Sequence, residues 1–105
     1  MPVDLLTPAL AVEALRECLC NQGQVKPTRH FRDALADESD VTIPDVWHVL
    51  KTGCIFDPAE PDIKTGEWKY RIEGKTPEGE WLAVIFCIKS ADRINLVTIF
   101  RDQKG

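Results

Sequence analysis

The sequence lacks the patterns from which a chemistry is most easily recognised. It contains no CxxC pair, and its two histidines, His30 and His48, are not part of any short paired spacing of cysteine and histidine. A zinc site needs cysteine and histidine in short paired spacings. We therefore predict no metal site, and no motif indicates a cofactor. The cysteines are expected to be reduced thiols that act as small buried hydrophobes: Cys18, Cys20, Cys54 and Cys87.

An export leader and a membrane span are also missing from the sequence pattern. The opening residues, MPVDLLTPALAVEAL, show no basic segment followed by a long apolar run. No stretch approaches the roughly 20 apolar residues that cross a bilayer. We expect a cytoplasmic protein without a membrane partner.

The size and charge of the chain limit the class of protein to which it can belong. With 105 residues, of which 44% are hydrophobic and 29% charged, it is expected to form one domain over residues 1–105, with a core of about 8–101. Residues 1–62 carry 5 Lys/Arg against 11 Asp/Glu, and residues 63–105 carry 8 against 6. An anionic ligand would therefore meet the C-terminal part. A pI near 5.1 argues against a general nucleic-acid binder.

Helix signals occupy the first half. Thr7 before Pro8 is typical of an N-cap, and Gly23 is expected to end that helix as a left-handed cap. Thr28 can cap a second, brief helix. Thr42 with Asp45 resembles a capping box that starts a third, which Gly53 closes. The acidic residues between the last two helices are expected in a solvated turn: Asp37, Glu38 and Asp40.

Strand signals occupy the second half. Trp68, Tyr70 and Ile72 alternate with charged residues, which indicates a strand with one buried face. Residues 81–88 are apolar on both faces and should form the central strand, and residues 94–101 return beside it. Residues 54–62, broken by two prolines, are expected as an edge strand. The predicted fold is α+β: two to three N-terminal helices packed on a C-terminal antiparallel sheet.

Basic residues lie on two strands of this predicted sheet. Lys69 and Arg71 share the polar face of the first strand, and Arg101 closes the last one. In a meander they could converge and bind phosphate, because Arg offers a planar fork of donors. The alternative is a solvated face on which Glu67 and Glu73 are their partners.

His30 is the second candidate. It stands in TRH at 28–30, with Arg32 close by as a substrate contact. An imidazole can act as a general acid or base if it lines a cleft beside a substrate anchor. The alternative is a capping or packing role at the start of a helix.

Four segments, in order, resemble a known bacterial family: TRHFRDALAD, IPDVWHVLKTGCIFDP, GEWKYRIEGKTPEGEWLAVIFCI and NLVTIFR. Over roughly residues 9–101 the chain resembles the bacterial domain of unknown function 4258. Through it, the chain resembles the RelE-like superfamily of toxins, with BrnT-type toxins as relatives. The resemblance implies helices packed on a curved antiparallel sheet, an endoribonuclease acting on mRNA, and an antitoxin protein and RNA as partners.

The resemblance also implies roles for individual residues. Arg71 and Arg101 would hold the scissile phosphate and the transition-state charge, Lys69 would bind phosphate, and Tyr70 would orient or stack the substrate. His30 would transfer a proton. Periodicity, however, places Tyr70 on the opposite strand face from Lys69 and Arg71.

Two other classes of function fit the same residues. One is a non-catalytic protein-binding module, because the acidic N-terminal half suits a basic partner better than RNA. The other is a small-molecule enzyme that uses His30 in a deep pocket. The sequence leaves the oligomeric state open.

Overall fold

The computed structural model describes residues 5–21, 23–38, 40–90 and 92–101. Among these residues, three helices come first: α1 (Pro8–Cys20), α2 (Arg29–Asp37) and α3 (Ile43–Thr52).

A threonine precedes each helix and caps it. The hydroxyls of Thr7, Thr28 and Thr42 each accept a hydrogen bond from a backbone N–H in the first turn. Asp45 completes a reciprocal capping box by accepting a hydrogen bond from the backbone N–H of Thr42 at 2.9 Å. These contacts satisfy donors that a helix start leaves unpaired. The predicted helix starts are confirmed.

In the part of the chain that the structure describes, five strands form one sheet: β1 (Gln24–Pro27), β2 (Glu60–Pro61), β3 (Trp68–Lys75), β4 (Trp81–Ser90) and β5 (Arg93–Arg101). Their order is β1-β5-β4-β3-β2, so β4 is central, as its apolar faces predicted. The predicted α+β class with N-terminal helices is confirmed. The sheet is mixed rather than antiparallel, because β1 runs parallel to β5. Strand β1 pairs with the edge of β5 that β4 leaves open. Gln24 N donates to Asp92 O, and Thr28 N donates to Leu96 O.

Two predicted loop features differ in the structure. Helix α1 ends with Asn21 as its C-cap, and Gly23 is not left-handed, so that prediction is wrong. A Cβ on Gly23 would lie 2.9 Å from the carbonyl oxygen of Cys18, and glycine is needed there for close packing. The edge strand predicted over residues 54–62 shrinks to a single bridge at Cys54 and the short β2, because Pro58 has no N–H to donate to a ladder.

The two faces of the sheet differ in character. One face packs against the helices and buries apolar side chains, among them Ile72, Val84, Phe86 and Ile99. The register places a second set of side chains on the opposite face, called here the open face. That set comprises Lys69, Arg71, Glu73, Ala83, Ile85, Cys87, Asn95, Thr98 and Phe100.

Helix α3 ends where it meets the edge of β3. A Cβ on Gly53 would lie 2.6 Å from Val49 O and 2.7 Å from Glu73 O, so a larger residue would push the two backbones apart. The next residue, Cys54, exchanges two backbone hydrogen bonds with Glu73, each 2.9 Å long. The backbone N–H and C=O of Glu73 are thus both paired with the residue that follows Gly53.

None of the helices in residues 5–21, 23–38, 40–90 and 92–101 is long and apolar enough to cross a membrane.

The four cysteines are free and differ in exposure. Burial raises the pKa of the Cys18 and Cys87 thiols, with smaller contributions from Asp92 and Glu67 respectively. Cys20 and Cys54 are exposed, contrary to the expectation that all four are buried. The thiolate is the form that reacts with alkylating reagents.

Alkylation of the native protein by iodoacetamide near pH 8 is therefore expected to modify Cys20 and Cys54 first. Cys18 and Cys87 should react at least about 10-fold more slowly, because each must be exposed and deprotonated first. Peptide mass spectrometry over a time course measures the four rates, with urea-unfolded protein as the control. Equal rates at all four sites in the native protein would contradict the structure.

Candidate functional site

The open face of the sheet carries a cleft of about 400 Å³ that spans β3, β4 and β5. Its floor combines apolar and basic side chains, and its walls bring acid–base groups from outside the sheet. The floor comprises Lys69, Arg71, Ile85, Val97, Thr98 and Phe100, and the walls comprise His30, Asp57, Pro58 and Glu60.

The topology places the two walls on opposite sides of the cleft. His30 belongs to α2, which packs along β5. Glu60 belongs to β2, which pairs with β3, and Asp57 lies just before it. Neighbouring strands lie about 4.8 Å apart, so the floor from β3 to β5 is about 10 Å wide. A ligand on this floor would therefore lie between the histidine and the two carboxylates.

Arg71 is held on the floor by a buried carboxylate. Its Nε lies 3.1 Å from Oε2 of Glu73, whose side chain is only 1% exposed. Trp81 donates a hydrogen bond from Nε1 to Oε1 of Glu73 at 2.8 Å. The guanidinium carbon of Arg71 also lies 4.8 Å from the ring centroid of Phe100, a cation–π distance. Two contacts thus restrict where this guanidinium can lie, and the hydrogen bond from Trp81 holds the carboxylate that makes one of them.

Of the two acidic residues expected as partners of Lys69 and Arg71, only one pairs with either of them. Glu73 is the partner of Arg71. Glu67 pairs with Lys89 on β4 instead of Lys69 or Arg71. Lys69 itself is partly buried and lines the cleft.

His30 is positioned through the cap of its own helix. It is the second residue of α2, directly after Arg29, and its side chain is exposed to the cleft. The Thr28 hydroxyl accepts the capping hydrogen bond from Phe31 N and donates to the carbonyl oxygen of Leu96 at 2.8 Å. Phe31 is buried in the core. The cap and this buried ring fasten the start of α2 to β5, which sets His30 at the rim of the cleft.

Arg101 lies outside the cleft. Its guanidinium contacts Glu38 at 3.2 Å, Asp40 at 3.1 Å and Glu80 at 3.5 Å. The hydrogen bond to Asp40, together with the other carboxylates, raises the pKa of Arg101 above its usual value. The predicted solvated turn is confirmed for Asp40, whose side chain is 75% exposed. The turn has an additional role, because Glu38 and Asp40 join the end of α2 to the end of β5 through Arg101.

Tyr70 and Arg32 also lie away from the cleft. Tyr70 is 2% exposed, stacks on Phe86 with centroids 5.5 Å apart, and accepts a hydrogen bond from Leu6 N at 2.9 Å. Its placement on the face opposite Lys69 and Arg71 confirms the strand periodicity. Arg32 is exposed on α2 and does not line the cleft.

Of the predicted site residues, the structure thus brings together His30, Lys69 and Arg71. The sequence reasoning missed Asp57 and Glu60 as members of the same site. Their signal was weak: two acidic residues beside the prolines of a broken strand. Only the pairing of β2 with β3 shows where they lie.

The part of the chain that the structure describes shows no group of side chains suited to a metal ion. No three His, Cys, Asp or Glu side chains of those residues are grouped so that they could hold an ion. The side chains of the cleft can supply proton transfer, by His30 and the carboxylates, and charge stabilisation, by Lys69 and Arg71.

Comparison with known proteins adds one relationship. A family described as Domain of unknown function (DUF4258) matches residues 28–101. No curated protein and no solved structure matches the chain. The matched range contains every residue that lines the cleft, on the floor and on both walls.

Proposed function

This chain belongs to the DUF4258 family, and from that premise we propose that it is an endoribonuclease that cleaves mRNA in the bacterial cytoplasm, a toxin of the RelE and BrnT type. The observation that carries the proposal is the meeting of His30, Lys69 and Arg71 in one cleft. A proton-transfer group beside two cations is what hydrolysis or transesterification of a phosphodiester needs.

The cleft suggests how the reaction would proceed. One group removes the proton from the ribose 2′-OH, and the 2′-oxygen attacks the phosphorus atom. The bond from phosphorus to the 5′-oxygen then breaks, and a second group protonates that oxygen. His30 on one wall and Glu60 or Asp57 on the other supply the two proton-transfer groups. Lys69 and Arg71 stabilise the charge on the phosphate oxygens between them.

The mixed charge of the cleft bears on its specificity. Asp57 and Glu60 offset the positive charge of Lys69 and Arg71, and the whole chain carries −4. General attraction to a polyanion is therefore weak, and binding would depend on contacts with one phosphate and its neighbours. We propose that an antitoxin protein restrains this activity.

A second candidate function is a protein-binding module without catalysis. Two large apolar side chains favour it: Phe56 is 56% exposed and Ile63 is 99% exposed, on the segment that also supplies a wall of the cleft. Large apolar side chains that are exposed in this way are groups that a protein partner could cover. This module would bind a protein partner and leave RNA intact.

Inducible expression separates the two candidates. We expect wild type to arrest growth and deplete total mRNA, and Arg71→Ala to cut RNA about 100-fold more slowly, because it removes a cation from the developing charge. Arg32→Ala is the matched control, since Arg32 is exposed outside the cleft. Lys69→Ala repeats the test without disturbing Glu73.

Thermal melting of each purified variant identifies a loss of activity that is only a loss of fold. If wild type and Arg71→Ala behave alike, with no growth arrest and intact mRNA, the endoribonuclease proposal fails. The binding-module candidate would then stand.

A further inference from the structure

The cleft is continued by a second hollow on the same open face. This hollow has a volume of about 130 Å³ and shares Val97 with the cleft. Thr28, at the foot of α2, and Thr65, in the segment between β2 and β3, stand on its two sides. The open face therefore carries a groove with two compartments rather than one isolated pocket.

The register sets the spacing of the compartments. Lys69 lies opposite Cys87, and Cys87 lies opposite Asn95. Arg71 and Ile85 form the next row on this face, two residues along each strand. A strand rises about 3.3 Å per residue, so the rows lie about 7 Å apart. A ligand phosphate between Lys69 and Arg71 would thus have its adjoining nucleoside within reach of Asn95.

The second hollow exposes mainly apolar surface, into which a few polar side chains project. Asn95 is partly buried, and its side-chain amide forms no hydrogen bond with another residue among those described. The amide is therefore available to a ligand in the hollow. Cys87 on the floor is a neutral thiol, since burial and Glu67 raise its pKa. The pair of Lys89 with Glu67 closes the far end.

The side of the hollow formed by the segment between β2 and β3 is pre-arranged. Asp62 accepts hydrogen bonds from Lys64 N at 2.9 Å and Thr65 N at 3.4 Å. The backbone hydrogen bond from Lys64 holds the pKa of Asp62 below its ordinary value, so the carboxylate is charged at neutral pH. The hollow thus presents fixed acceptors beside an amide that both donates and accepts.

We propose that this hollow is a base-reading subsite, in which the amide of Asn95 pairs with the edge of a pyrimidine adjoining the phosphate at Lys69 and Arg71. The amide offers one donor and one acceptor side by side, as do the pairing edges of cytosine, uracil and adenine, so the size of the hollow decides which base can reach it. The hollow has about a third of the cleft's volume, which favours a one-ring base over a purine. This inference rests on the proposed function, because it specifies the substrate of the same site.

Titration calorimetry of the full chain tests the subsite. The probes are inorganic phosphate and two dinucleotides that lack the 2′-OH and therefore cannot be cleaved by 2′-oxygen attack, those of deoxycytidine and deoxyadenosine. We expect wild type to bind the deoxycytidine dinucleotide about 10-fold more tightly, the discrimination typical of a paired base edge. Asn95→Ala should lose this preference and keep its phosphate affinity. Asn21→Ala, an amide outside the groove, is the matched control.

The possible results distinguish failure of the base-reading subsite from failure of phosphate binding in the cleft. Equal affinity of wild type for both dinucleotides, or an unchanged preference in Asn95→Ala, would overturn the subsite while phosphate binding still supports the cleft. Loss of phosphate binding in Arg71→Ala and Lys69→Ala supports the proposed function independently of any base. Failure of wild type to bind either phosphate or dinucleotides would overturn both.

Discussion

Replacing His30 by alanine is expected to slow cleavage of a purified RNA by about 100-fold to 10,000-fold. The imidazole stands at the rim of the cleft, on the wall opposite Asp57 and Glu60. Its loss removes one of the two proton-transfer groups and leaves the basic floor intact. RNA binding should therefore change little. Single-turnover rates at saturating protein, with gel analysis of the fragments, measure the chemical step separately from binding.

His48→Ala is the matched control for this variant. His48 lies on α3, on the helix-packed side of the sheet, and does not line the cleft. Its removal should leave the cleavage rate within about a factor of two, because no group of the cleft is changed. In His30→Ala the pH–rate profile should also lose one limb, which a purely structural role would not cause. A wild-type rate in His30→Ala would exclude this residue from catalysis.

Replacing Glu73 by alanine is expected to lower the free energy of unfolding by about 3 kcal/mol. The carboxylate is 1% exposed and is the partner of Arg71 Nε at 3.1 Å and of Trp81 Nε1 at 2.8 Å. Without this carboxylate, Arg71 Nε and Trp81 Nε1 each lose a partner. The partial exposure of Arg71, at 32%, lets water replace some of the lost interaction, which limits the cost. Urea denaturation followed by tryptophan fluorescence measures the change.

Two further variants distinguish the contribution of the ion pair to stability from that of the volume its side chains fill. Glu67→Ala removes a more exposed carboxylate, paired with Lys89, and should cost at most about 1 kcal/mol. The double variant Arg71→Met with Glu73→Leu replaces both charges by apolar groups and should recover part of the loss, as buried pairs often do. A Glu73→Ala midpoint equal to that of wild type would show that the pair contributes nothing to stability.

The elements that local sequence signals could predict are those whose causes are local. Thr7, Thr28 and Thr42 start helices because their hydroxyls reach N–H groups in the next turn. Residues 81–88 form the central strand because apolar side chains on both faces need neighbours on both sides. The parallel pairing of β1 with β5 was not predictable, since it joins residues far apart in the chain.

The candidate site likewise combines features that the local sequence predicts with features that depend on distant contacts. The alternation of β3 placed Lys69 and Arg71 together and Tyr70 on the other face, because strand side chains alternate. The position of Arg101 beside Glu38 and Asp40 depends on α2 lying along β5. That contact spans more than half the chain, and no local pattern encodes it.

The sequence by itself determined the helix starts, the central strand, the basic face of β3 and the presence of a histidine near the start of α2. The tertiary structure alone decided that His30 faces Lys69 and Arg71 across one cleft, with Asp57 and Glu60 on the opposite wall. The reason is physical: capping and alternation act within a few residues, whereas a cleft forms where the packing of α2 on β5 and of β2 on β3 brings distant residues to the same face.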